Sequence, residues 1–188
     1  MSTKEEQLRR LQADCEKCAG CPLGSTRTKL VFGVGSADAD LMFVGEAPGE
    51  QEDLSGIPFV GRAGQLLRSY LTYVDIPAES VYIANVLKCR PPKNRDPLPE
   101  EEAACLEFLW EQVRIIQPKI LVCLGRISAA KLIKPDFRIT AEHGMWFEKD
   151  GRLITAVFHP AALLRNPAYK AGMLADMQEI KRKLDSLV

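Results

Sequence analysis

Residues 41–53 read LMFVGEAPGEQED: four apolar residues, then a turn rich in glycine, proline and carboxylates. A short apolar run that stops at such a turn reads as a buried strand handing its loop to a rim. Three more runs have that form. Val81–Val86 leads into KCRPP, Ile120–Leu124 into Gly125 and Arg126, and Leu153–Phe158 into HPAALLRNP. Between them lie stretches of helical character: GRAGQLLRSYLTYV at 61–74, PEEEAACLEFLWEQVRII at 99–116 and RISAAKLI at 126–133. Strands alternating with helices predict an α/β fold, a parallel sheet covered on both faces. In open sheets of this kind ligands bind outside the carboxyl ends of the strands, so all four loops are expected on one rim.

The rest of the chain fits a single domain spanning 1–188, with polar helices at 2–14 and 175–187 closing its ends. Hydrophobic residues make up 46% and charged residues 27%, ordinary values for a soluble protein. No apolar run approaches a membrane span, and MSTKEEQLRRLQADC lacks the apolar core of a signal peptide, so a cytoplasmic protein is expected. Lysine plus arginine equals aspartate plus glutamate, at 25 each. That argues against a bulk polycation but leaves room for a local basic cleft, which Lys88, Arg90, Lys93, Arg95, Arg165 and Lys170 could build on the rim loops.

Six cysteines in a chain without a signal peptide point to metal ligation rather than disulfides. CEKCAGC overlaps two C-x-x-C pairs, Cys15/Cys18 and Cys18/Cys21, and Cys89 and Cys105 follow with fifteen residues between them. Four thiolates from two distant segments could staple the N-terminal arm to the sheet through zinc or an iron–sulfur cluster, leaving one of the first three spare. Cys123, inside an apolar strand, reads as a small core residue.

The rim loops carry few groups suited to chemistry. Of Glu46, Glu50, Glu52 and Asp53, most are expected to be solvated and one to have a chemical role. Phe59 stands between glycines in GIPFVGRAG, where an aromatic ring either caps the core or stacks on a flat ligand. Asn85 ends the second run, and its amide suits the edge of a nucleobase as well as it suits tying down a loop. His159 follows the last run, where a neutral imidazole can donate to developing negative charge. Leu163 and Leu164 stand in what reads as a polar loop between prolines, the setting of a wedge that opens a base stack. His143 is given no role.

Together CAGCPL, VFGVG, LMFVGEAPGEQED, GIPFVGRAGQLL, VYIANVLKCRPPKNR, LPEEEAAC and FHPAALLRNP resemble, in order and spacing, the family 4 uracil-DNA glycosylases, from about Cys18 to Asn166. The resemblance implies a central four-stranded parallel sheet flanked by helices. It also implies a 4Fe–4S cluster held by Cys18, Cys21, Cys89 and Cys105, with Cys15 spare. The implied activity is hydrolysis of the bond between uracil and deoxyribose in single- or double-stranded DNA, by a monomer. Phe59 would stack on the extruded base, Asn85 would pair with uracil N3–H and O4, and His159 would bond O2 of the leaving base. Gly45 and Ala47 would line the uracil site, Leu163 would fill the gap in the stack, and Arg62, Arg90 and Arg165 would contact DNA. Family 1 enzymes have a water-positioning aspartate where Ala47 stands and a thymine-blocking tyrosine where Gly49 stands. Glu46 is therefore the candidate for holding water. Two other readings are a covalent uracil-DNA capture protein and a non-catalytic iron–sulfur DNA-binding or redox-sensing module. Capture relatives place a histidine in an inserted loop after the second strand and Gln at the Ala47 position, and no histidine lies between Cys89 and Cys105.

Overall fold

The computed structural model describes residues 2–187; Met1 and Val188, the ends of the expected domain, lie outside them. Four strands, β2 (Leu41–Gly45), β3 (Val81–Asn85), β4 (Ile120–Leu124) and β6 (Arg152–Val157), pair in parallel in the order β3-β2-β4-β6. These are the four apolar runs. The sheet is wider than expected, with six strands: β1 (Val34–Gly35) and β5 (Trp146–Lys149) add antiparallel edges beside β3 and β6.

The central strands are apolar throughout because each of their faces meets helices. Met42, Val44, Tyr82, Ala84, Leu121, Cys123, Ile154 and Ala156 point to one layer, with Leu109, Val113 and Ile116 of α5 (Pro99–Ile116) and Ala129 and Leu132 of α6 (Arg126–Leu132). Leu8 and Cys15 of α1 (Lys4–Glu16) join that layer. Leu41, Phe43, Val81, Ile83, Ile120, Val122 and Val157 point to the other. There they meet Leu67 and Leu71 of α4 (Arg62–Tyr73) and Met173, Met177 and Ile180 of α9 (Lys170–Asp185). The period-two alternation of each strand thus divides one apolar run between two cores.

Short helices punctuate the connections: α2 (Leu23–Thr26), α3 (Glu50–Ser55), α7 (Ile139–Glu142) and α8 (Pro160–Arg165). Two of these, α3 and α8, occupy segments that read as loops in the sequence. Pro160 fits the first turn of α8, where its missing N–H is no loss. No helix among the described residues is long and apolar enough to cross a membrane.

Candidate active site

The carboxyl ends of β2 and β3 put Gly45 directly opposite Asn85. A methyl group at Gly45 would lie 2.3 Å from Asn85 Oδ1 and 2.7 Å from Phe59 Cζ, so the absence of a side chain there lets amide and ring close over the strand ends. Phe59 adopts a left-handed backbone (φ 55°), a conformation that costs an aromatic residue about 1–3 kcal/mol. Its surroundings hold it there. Arg68 Nη1 donates to the Phe59 carbonyl at 2.7 Å, and the N–H groups of Val60 and Gly61 both donate to Glu52 Oε1 at 3.0 Å. His159 arrives from the end of β6 and lies against Gly125 at the end of β4, where a Cβ would come within 2.9 Å of its own. The Phe59 and His159 rings are 5.8 Å apart and tilted by 34°. Phe59, Asn85 and His159 line one cavity of about 440 Å³, together with Glu46, Ala47 and Arg165.

The electrostatics of these groups differ. Asn85 is 2% exposed, and its Oδ1 is buried without a hydrogen-bond partner. Buried acceptors are seldom left so, and Asn85 lines the cavity, where a ligand N–H could satisfy it. Nδ1 of His159 accepts from the Ala161 N–H at 3.1 Å, which leaves the ring proton on Nε2. Burial, assisted by the charge of Arg165 and opposed by Glu52, pushes the His159 pKa down to about 4, so the ring is a neutral donor at physiological pH. Glu46 goes the other way. Burial first, then the negative charge of Asp96, raises its pKa to about 7, with Arg126 opposing and Glu102 adding to the rise.

Several expected residues stand elsewhere. Leu163 is fully buried in the core because α8 turns it toward the sheet; its neighbour Leu164 is 41% exposed. Leu164, not Leu163, is thus the exposed leucine of the pair, because a helix stands where a loop was expected. Arg62 is exposed in the first turn of α4, and Arg90 bonds Asn94 Oδ1 at 2.8 Å and lies 3.9 Å from Glu50; neither lines the cavity. Arg95 does line it but is committed to a bidentate pair with Glu101. Lys88 is not a rim cation at all: it is 0% exposed. Nor are the carboxylates mostly solvated. Glu52 clamps the Phe59 loop, and buried Asp53 accepts from the Thr28 N–H at 2.9 Å.

A second, small cavity is lined by Cys15, Cys18, Cys21, Cys89 and Cys105, with Gly24, Arg27 and Lys88. It joins the end of α1, the turn into α2, the loop after β3 and the start of α5. Arg27 Nη1 donates to Cys89 Sγ at 3.2 Å and the Gly20 N–H to Cys18 Sγ at 3.4 Å. Burial raises the pKa of Cys15 to about 12 and of Cys105 to about 11, so these thiols need a bound metal to ionise. Buried sulfurs with N–H donors and two cations beside them fit a thiolate-ligated, negatively charged group. Among the described residues, no three His, Cys, Asp or Glu side chains close on a point as a lone metal ion requires. Cys123 is a core residue, 0% exposed.

Comparison with known proteins places this geometry in a family. Residues 32–183 match the model of the Uracil DNA glycosylase superfamily. Type-4 uracil-DNA glycosylases of Thermotoga maritima and Archaeoglobus fulgidus are 45% and 42% identical to the chain. The first match covers 96% of both chains, and the second covers 93% of this one and 92% of the relative. That of Sulfurisphaera tokodaii is 40% identical over 94% of this chain and 84% of its own. Cavity, cysteine set and full-length similarity agree: the chain belongs to the uracil DNA glycosylase superfamily, among its type-4 members.

Proposed function

We propose that this protein is a uracil-DNA glycosylase that hydrolyses the N-glycosidic bond of flipped-out deoxyuridine, releasing uracil and leaving an abasic site for repair. The observation that carries the reading is the orphaned Oδ1 of Asn85, buried beside the Phe59 ring on the cavity wall. An acceptor there takes uracil N3–H while the amide N–H meets O4. Cytosine, with a bare N3 and an N4 amine, reverses that pattern. Phe59 stacks on the base, and Gly45 and Ala47 leave room for it. The His159 Nε2 proton bonds O2 as the base leaves as an anion, and Glu46 holds the water that attacks the sugar. Arg165, Arg62 and Arg90 meet the phosphate backbone.

Cys18, Cys21, Cys89 and Cys105 would hold a 4Fe–4S cluster, with Cys15 spare. Held there, such a cluster would supply a covalent brace between the N-terminal arm and the sheet. Five cysteine sulfurs lining one cavity support a thiolate-ligated group there. The same reading makes the protein a cytoplasmic monomer acting on single- or double-stranded DNA.

Incubation with a uracil-containing oligonucleotide tests the reading. Multiple turnovers that leave abasic sites support it; a stable protein–DNA adduct or no reaction overturns it. In the same assay kcat/KM rises with pH and levels off above about 7, because Glu46 acts as its carboxylate. Glu46→Gln lowers the plateau and removes that rise. A second prediction separates the two leucines. Leu164→Ala slows uracil release from duplex DNA roughly tenfold, since extruding a base costs a few kcal/mol, and leaves the melting temperature nearly unchanged. Leu163→Ala, which empties a core position, destabilises the fold by roughly 2–5 kcal/mol, read by denaturant unfolding.

A further inference from the structure

Lys88 lies between the two cavities described above: it lines the cysteine cavity and bonds the peptide of Asn85 on the wall of the other. Its side chain is 0% exposed, and its ammonium group donates to the Asn85 carbonyl at 2.8 Å and to Gln112 Oε1 at 2.6 Å. Gln112, itself fully buried, is fixed in turn: its Nε2 donates to the Phe32 carbonyl at 2.9 Å and to the Tyr82 hydroxyl at 3.2 Å. No carboxylate among the described residues pairs with Lys88. Beside it lie the thiol groups of Cys15, Cys105 and Cys89, which line the same small cavity. A buried cation with neutral hydrogen-bond partners and no carboxylate is costly to keep, so it needs an anionic neighbour and a task.

The task follows from what the ammonium holds. Asn85 ends β3, and its side chain makes no hydrogen bond through Oδ1, so nothing on the amide oxygen itself fixes its aim. What fixes it is the backbone. Gly45 pairs with it across the sheet, the Val86 N–H donates to the Gly45 carbonyl at 2.9 Å, and Lys88 holds the Asn85 carbonyl from below. We propose that Lys88 is a positioning residue for base recognition: its buried ammonium, seated against the cysteine cavity, locks the peptide of Asn85 so that the free amide faces the uracil edge. The proposal rests on the reading of Asn85 as the base-reading group.

Because the lysine acts through the asparagine, the two substitutions are not additive. In the iron-loaded full-length protein, Lys88→Met lowers single-turnover uracil release by roughly 10- to 100-fold, the effect of losing one charge-assisted hydrogen bond. It leaves affinity for duplex DNA carrying an abasic site, which has no base to read, unchanged. The double variant Lys88→Met/Asn85→Ala is no slower than Asn85→Ala alone. Wild-type rates in Lys88→Met, additive losses in the double variant, or an equal loss of abasic-site affinity each overturn the proposal. If Lys88→Met does not accumulate as folded protein, Gln112→Met, which removes one of the two ammonium anchors, decides. The same selective loss at smaller size supports the proposal, and wild-type uracil release overturns it. Wild-type protein runs as the control. Failure of the wild type to release uracil defeats the functional reading itself, whereas turnover by wild type with additive variants defeats only the role of Lys88.

Discussion

Replacing His159 with alanine lowers the rate of uracil release by about 10²–10³-fold while DNA affinity changes little, the loss expected for one donor aimed at charge that develops only in the transition state. The argument begins at Ala161, whose N–H occupies Nδ1 of the ring and leaves the proton on Nε2. A second step is electrostatic. Burial and Arg165 hold the pKa near 4, so between pH 5 and 9 the ring neither gains nor loses a proton. A cationic donor would make the rate fall as pH rises past 6 to 7; a neutral one leaves that region to Glu46. Single-turnover rates measured from pH 5 to 9 therefore show one rising limb in wild type, and the same limb at a far lower level in His159→Ala. A descending limb centred near pH 6.5 that disappears in the variant contradicts the neutral-donor assignment.

Asn85→Asp trades discrimination for a new activity. The amide presents an acceptor and a donor in fixed order, and a site of that kind rejects the wrong partner by about 10⁴–10⁵ because mismatched buried groups stay unpaired. In place of the amide, a buried carboxyl has its pKa raised by desolvation and is partly protonated near neutrality. Its carbonyl oxygen then accepts from the cytosine amine while its O–H donates to cytosine N3. Uracil release falls by about 10² or more, cytosine release becomes measurable, and the cytosine rate increases as pH falls because the protonated carboxyl is the competent form. Asn85→Ala is the control: it loses uracil release without gaining cytosine release. Equal release of both bases by Asn85→Ala would show that discrimination lies elsewhere on the cavity wall.

Much of this architecture was legible in the sequence, for a reason visible in the strands. Runs such as Leu41–Val44 and Ile120–Leu124 are buried on both faces, so they carry no polar interruptions and stand out from their surroundings. The edge strands do not. Val34 and Gly35 are exposed, and Trp146–Lys149 is half-exposed with two charged residues in four. One signal for the latter was present: Asp150 and Gly151 both have positive φ, the preference of a two-residue hairpin turn, and KDGR could have been read as one. Phe59 was singled out because it stands between glycines, and Asn85 and His159 because one ends and the other follows a strand; the fold lines one cavity with all three. The clamps that aim them were not. Arg68 reaches the Phe59 carbonyl from within α4, and Glu52 acts from a helix hidden behind glycine and proline. Lys88 was misread because lysine in KCRPP looks like a surface cation, and only the fold reveals that the chain buries it. The helix that buries Leu163 was missed because six residues between prolines give too little periodicity to reveal one.

Under the function proposed above, the left-handed turn at Phe59 means that the ring offered to a base is in place before the base arrives. Ordering a loose loop around a ligand would cost about 1–2 kcal/mol per residue in backbone entropy. With its carbonyl and the two following N–H groups already tied, this loop meets that demand when the chain folds. Recognition can then work by refusal. A base of the wrong outline would then meet a wall that does not adapt to it.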